Sequence, residues 1–165
     1  MITQASADHY EDIVRLYNQA VSAGSQTADE QPVSLQEKLP WLRLHTGDHY
    51  IIYVATIDKD IVGYVALSPY RFGRSAFSKT AEISYYIDNQ YQRKGIGSQL
   101  IQHAIDNCSE LKIESLIAIL LSSNLASISV LKKFDFEKWG DMPNIGKLKN
   151  GLVDHLYFGK HLGNL

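Results

Sequence analysis

Hydrophobic positions recur in this chain with two periods, and the alternation between them predicts most of its secondary structure. Ile2 to Ala5 is a short strand candidate. Asp8 and Glu11 resemble a capping box, and Ile13, Val14, Tyr17, Ala20 and Val21 follow at helical spacing. Gly24 to Gln31 is polar and predicts a loop. Ser34 and Glu37 repeat the capping pattern ahead of Leu35, Leu39 and Leu42, in a helix that Pro40 is expected to kink or shorten. Tyr50 to Ile57 and Ile61 to Ser68 are β-branched and aromatic runs joined by Asp58-Lys59-Asp60, a hairpin signal.

The second half alternates more regularly. Thr80 to Asp88 predicts a strand and Gly95 to Cys108 a helix, with Ile96, Leu100, Ile101, Ala104, Ile105 and Cys108 on one face. Leu116 to Leu121 is continuously apolar, as expected of a strand covered on both sides. Leu125 to Phe134 predicts a short helix; Phe136 to Gly140 and Leu152 to Lys160 predict strands. The order β, α, α, β, β, β, α, β, α, β, β implies an α/β (α+β) fold, a mixed sheet of about seven strands with helices on both faces.

At 165 residues, with neither a repeat nor a Pro/Gly/Ser-rich linker, the whole chain is expected to form a single domain. A net charge of −2 gives no basic footprint for nucleic acid. No apolar run approaches the roughly 20 residues that span a bilayer, and Met1 to Asp8 has no signal-peptide character. A cytoplasmic protein without nucleic-acid or membrane partners is therefore expected. Cys108 is the only cysteine, which rules out an internal disulfide, and its place on the helix stripe suggests a buried thiol. The six histidines show no metal-ligand spacing, so no metal is expected.

One segment carries chemistry directly. Gln92-Arg93-Lys94-Gly95-Ile96-Gly97 follows a strand and opens an amphipathic helix. Its glycines allow a tight turn and close backbone approach, and N–H groups at a helix start favour an anion. Gln92, Arg93 and Lys94 add donors and positive charge, so the segment suits a phosphate or pyrophosphate. Ser98-Gln99 after Gly97 fails the Walker pattern, and Leu100 occupies the place of the third small residue of a dinucleotide fingerprint.

The order Gln/Arg-x-x-Gly-x-Gly after a strand instead resembles the acetyl-coenzyme A arm of the GNAT superfamily of N-acetyltransferases. The resemblance covers nearly the whole chain and is closest to the phosphinothricin and methionine-sulfone acetyltransferase branch. Ile13 to Val21, Pro32 to Glu37, Gly63-Tyr64-Val65, Glu82 to Ile87, Arg93 to Gly97 and Asn124 to Ile128 carry it. It implies the GNAT fold and acetyl-coenzyme A as acyl-donor co-substrate. It also implies direct transfer of the acetyl group to the amine of a small amino acid or analogue. Acetylation of a protein or peptide N-terminus, or a non-catalytic acyl-coenzyme A sensor, are the alternatives. Homodimers are common in the branch, so a homodimer is a candidate assembly.

Residue by residue, the resemblance places the pantetheine beside Tyr85, Tyr86 and Ile87. It places the pyrophosphate on Gln92, Arg93, Lys94, Gly95, Ile96, Gly97 and Ser98, and adds a hydrogen bond from Asn124 to the pantetheine. Glu82 becomes the general base. Tyr70, Arg71, Phe72 and Arg74 fall in the loop expected to cover the acceptor, where an arginine could pair with a carboxylate. Leu131 departs from the tyrosine or histidine often discussed as general acid; Tyr85, Tyr86 and Tyr91 are unranked substitutes. Asp135 and Leu152 depart as well, from a glycine and a tryptophan.

Overall fold

A computed structural model describes residues 1–149 and 151–163. Seven strands form one sheet in the order β1-β2-β3-β4-β5-β7-β6. They are β1 (Ile2–Gln4), β2 (Ile51–Ile57), β3 (Asp60–Pro69), β4 (Thr80–Ile87), β5 (Ser115–Leu121), β6 (Glu137–Leu148) and β7 (Gly151–His161). Four helices accompany them: α1 (Tyr10–Ala23), α2 (Leu35–Arg43), α3 (Ile96–Asn107) and α4 (Leu125–Lys133). Every neighbouring pair is antiparallel except β4 with β5, which is parallel.

Period-two alternation sends side chains to two cores. Ile13, Leu16 and Leu42 from α1 and α2 pack on Ile52, Val54, Tyr64 and Ala66 on one face. Leu100, Ile101 and Ala104 of α3 and Leu131 of α4 pack on Val65, Leu67, Ile83, Leu116 and Phe158 on the other. Gly63 lets α3 close on the sheet, because a Cβ there would lie 2.8 Å from Ile87 Cδ1 and 3.2 Å from Leu100 Cδ1.

The hairpin between β2 and β3 turns through Asp58 and Lys59, both at positive φ, as a type I′ turn requires. Ser34 accepts from the Glu37 amide, and Glu37 accepts from Ser34 N at 2.7 Å, closing the expected box on α2. Pro40 is accommodated inside this helix. At α1 the expected Asp8–Glu11 box is replaced. A short 3₁₀ turn, Ala7–His9, precedes the helix, and His9 Nδ1 accepts from Ser6 N at 2.9 Å.

The larger departure is β6, which runs from Glu137 to Leu148 rather than stopping at Gly140. It is an edge strand, mostly exposed, with register shifts at Lys138/Gly140 and Met142/Gly146. Pro143 and the bulges hide its periodicity and also blunt an edge that could otherwise pair with another chain.

Candidate functional site

β4 pairs with β3 from Ala81 to Ile87 but with β5 only from Thr80 to Glu82, opposite Ser115 to Ile117. Beyond Glu82 the two parallel strands part. The Asp88 amide donates to Val62 O at 2.9 Å. By alternation the backbone groups of Ser84 and Tyr86 also face β3, and those of Tyr85 and Ile87 face the gap. An interior strand thus presents donors and acceptors to an extended ligand. Between the strands lies a cavity of about 50 Å³ lined by Ser84, Tyr85, Leu120, Asn124, Ser127 and Leu131.

An adjoining cleft of about 230 Å³ runs past Tyr85, Ile87, Gln92, Arg93, Gly95, Gly97, Ser98 and Asn124. Its floor is the start of α3. Gly95 has φ 82 and Arg93 φ 60, so the chain enters the helix through two left-handed residues. No side chain caps α3, and the first amide bonded back to Gly95 O is that of Gln99, at 3.0 Å. The amides of Ile96, Gly97 and Ser98 therefore have no intrahelical acceptor. Asp88 braces the turn into this arm, accepting from Arg15 Nη1 at 2.7 Å, Gln19 Nε2 at 3.0 Å and the Gln90 amide at 3.0 Å. Burial opposes its charge, but these donors outweigh that and hold the carboxyl below its ordinary range.

Two expected arm residues point elsewhere. Lys94 lays its ammonium 4.7 Å from the Tyr91 ring centroid, and Ile96 is buried in the α3 core. Asn124 caps α4, its Oδ1 accepting from the Ser127 amide at 3.2 Å. That leaves the side-chain Nδ2 outside the cap.

A third cavity, of about 380 Å³, opens on the α1 and α2 face of the gap. Glu82, Ser84 and Tyr86 point there because alternate β4 residues share that face. Burial raises the Glu82 pKa. Lys38, on α2, holds its ammonium 3.7 Å from the Tyr17 centroid and 4.8 Å from that of Trp41. Burial lowers its pKa, with Asp29 opposing the shift. Tyr17 donates to Asp29, and burial together with that bond pushes the phenol up to about 12. Gln26, Thr27 and His155 complete the wall.

Tyr70, Arg71, Phe72 and Arg74 do not line this cavity. Tyr70 packs edge-on to Phe77, Arg71 lies over the Tyr70 ring, and Phe72 is 76% exposed. Lys38, Trp41 and the Gln26-Thr27 stretch were not singled out from sequence. The one available signal was a lysine one turn after a helix cap, beside a tryptophan, and that pattern is common on solvated helices.

Cys108 is buried, and its Sγ donates to Ala104 O at 3.1 Å; burial pushes the thiol up to about 12. His45 is buried too. Its Nδ1 donates to Trp41 O and its Nε2 accepts from Ser68 Oγ, each at 2.9 Å, and burial pulls its pKa down to about 4. Among the described residues, no cluster of three or more His, Cys, Asp or Glu could hold a metal ion, and no helix is long and apolar enough to cross a membrane.

This geometry matches known proteins in both sequence and shape. A Bacillus subtilis protein, YwnH, provisionally named a phosphinothricin acetyltransferase, is 30% identical over 163 residues, which are 98% of this chain and 99% of that protein. The L-methionine sulfoximine/L-methionine sulfone acetyltransferase of Pseudomonas paraeruginosa is 30% identical over 82% of this chain and 78% of its own length. A phosphinothricin acetyltransferase from Sinorhizobium meliloti, solved in complex with acetyl-coenzyme A, superposes with a TM-score of 0.92. It is 27% identical, over 99% of this chain and 88% of that one. Residues 10–136 match the model of the acetyltransferase (GNAT) family. With the split strands, the uncapped helix start and this match in agreement, the chain belongs to the GNAT acetyltransferases.

Proposed function

We propose that this chain moves an acetyl group directly from acetyl-coenzyme A to the primary amine of a small amino acid or amino-acid analogue. The observation that carries this reading is the cavity on the α1 and α2 face, where Glu82 and Lys38 supply opposite charges to one space. A zwitterion fits that arrangement, its ammonium toward the carboxylate and its carboxylate toward the lysine. Amino-acid analogues are also what the relatives' names specify.

The residues present suit acetyl-coenzyme A. The amides of Ile96, Gly97 and Ser98 and the positive end of α3 would hold the pyrophosphate. The free backbone edge at Tyr85 and Ile87 would pair with the pantetheine as a strand does. Asn124 Nδ2 supplies a further donor. When bound, the coenzyme supplies an acetyl group activated as a thioester.

Glu82 accepts the ammonium proton. A free α-amine with pKa near 8 is roughly 10% neutral at pH 7, so a nearby base raises the reactive fraction about tenfold at most. Burial of Glu82 moves its pKa toward the working range of such a base. A gap-facing N–H of β4 stabilises charge on the carbonyl oxygen. Transfer without an acyl-enzyme is supported by Cys108, whose buried thiol stays protonated and lines none of the three cavities.

Thiol release from acetyl-coenzyme A tests the reading, using amino acids, their carboxamides, polyamines and peptides as acceptors. Free amino acids or their analogues should be preferred over the matching carboxamides by at least tenfold in kcat/KM. Equal use of both would remove the carboxylate from recognition, and turnover with peptides alone would make this an N-terminal acetyltransferase.

A further inference from the structure

Tyr85 Oη is buried without a hydrogen-bond partner, the one side-chain nitrogen or oxygen in that condition among the described residues. An unmatched buried hydroxyl costs about 1–3 kcal/mol, so its retention calls for a reason. The residue lines both the cavity between β4 and β5 and the cleft that continues toward α3. Around it stand Leu131, which is apolar and 1% exposed, and Asn124, whose Oδ1 is committed to the α4 cap. Ser127 stands close enough to pull the phenol's pKa down, but the two hydroxyls do not reach hydrogen-bond geometry.

We propose that the Tyr85 hydroxyl donates the hydrogen bond that stabilises the coenzyme A thiolate as it leaves. This rests on the reading that the gap between β4 and β5 receives the thioester. The acceptor nitrogen forms the new C–N bond, the C–S bond breaks, and its electron pair stays on sulfur. The ammonium proton passes through Glu82 to solvent, and the sulfur afterwards takes a proton from solvent. Tyr85 keeps its own proton. Burial raises its pKa, with Ser127 opposing, and a phenol near or above 10 does not transfer a proton downhill to a thiolate near 8.5. Hydrogen bonding to the developing charge is the role that this chemistry leaves to it.

Tyr85→Phe keeps the ring and removes only the unmatched hydroxyl, so thermal stability should hold or rise. The deciding measurement is the pKa of the coenzyme A thiol bound to wild type and to the variant, followed by the ultraviolet absorbance of the thiolate. A hydrogen bond to the charged form should place the wild-type value about one unit or more below that of the variant. With an accepted amine, kcat should fall about 10- to 100-fold while KM for acetyl-coenzyme A stays level. Identical thiol titration in the two proteins overturns the proposal, even if kcat falls. A thiol shift without turnover of any acceptor supports it and counts against the acceptor reading. Absence of coenzyme A binding by wild type sinks both.

Discussion

Glu82 and His45 show how burial gives ordinary side chains different tasks. Glu82 faces a cavity with burial alone raising its pKa, whereas His45 satisfies both ring nitrogens inside the core. Glu82→Gln should lower kcat/KM for an α-amine about tenfold at pH 7, and the deficit should shrink toward pH 9 as the amine deprotonates by itself. A pH–rate profile unchanged by the substitution would take the base role from Glu82. His45 affects stability instead. Its folded pKa of about 4 lies below the unfolded 6.5, so the unfolded chain binds the proton first. Stability is full above about pH 6.5 and is lost as pH falls toward 4, by about 3 kcal/mol in total. Urea melts across that window should show the slope, and His45→Gln should flatten it.

At the scale of elements, Gly95 decides how α3 begins. Its φ of 82 is a left-handed conformation, and a Cβ there meets nothing closer than Gln99 Nε2 at 4.0 Å. Gly95→Ala is therefore strained without a clash. It should cost about 1–2 kcal/mol in a denaturant melt and weaken coenzyme A binding severalfold as the helix-start amides turn away. An unchanged melt would show that the turn does not depend on glycine. The arm and β4 were legible because their chemistry is contiguous: a strand, a glycine turn and a helix start within Thr80 to Ser98. The cavity proposed for the acceptor was not. Lys38 and Trp41 on α2, Gln26 in the loop after α1 and His155 on β7 come from three separate segments that only tertiary packing brings together. The loop from Tyr70 to Arg74 had the composition of a carboxylate clamp, but its aromatic residues pack locally. The second half of β6 escaped notice because an exposed, bulged edge strand does not alternate.

For the whole molecule, the sheet is two blocks, β1 to β4 and β5 to β7, joined by backbone pairing at three positions and by the α3-side core. The edges are guarded: β1 is three residues long, and β6 carries a proline, bulges and lysines. The interior edge of β4 has no such guard. Amide hydrogen exchange at Tyr85 and Ile87 should be fast in the free protein and slow markedly with coenzyme A, while Leu67 on β3 should change little. Protection of Tyr85 and Ile87 before ligand is added would show that the gap closes by itself.

That parting of β4 from β5 makes substrate loading an act of construction. On the proposed reading the coenzyme would enter as a temporary eighth strand, so the energy that ties the two blocks together would also be the energy that recognises the donor. Each turnover then undoes and remakes part of the architecture, and a saturating donor at 100 times its Kd should firm the whole domain by about 2.7 kcal/mol.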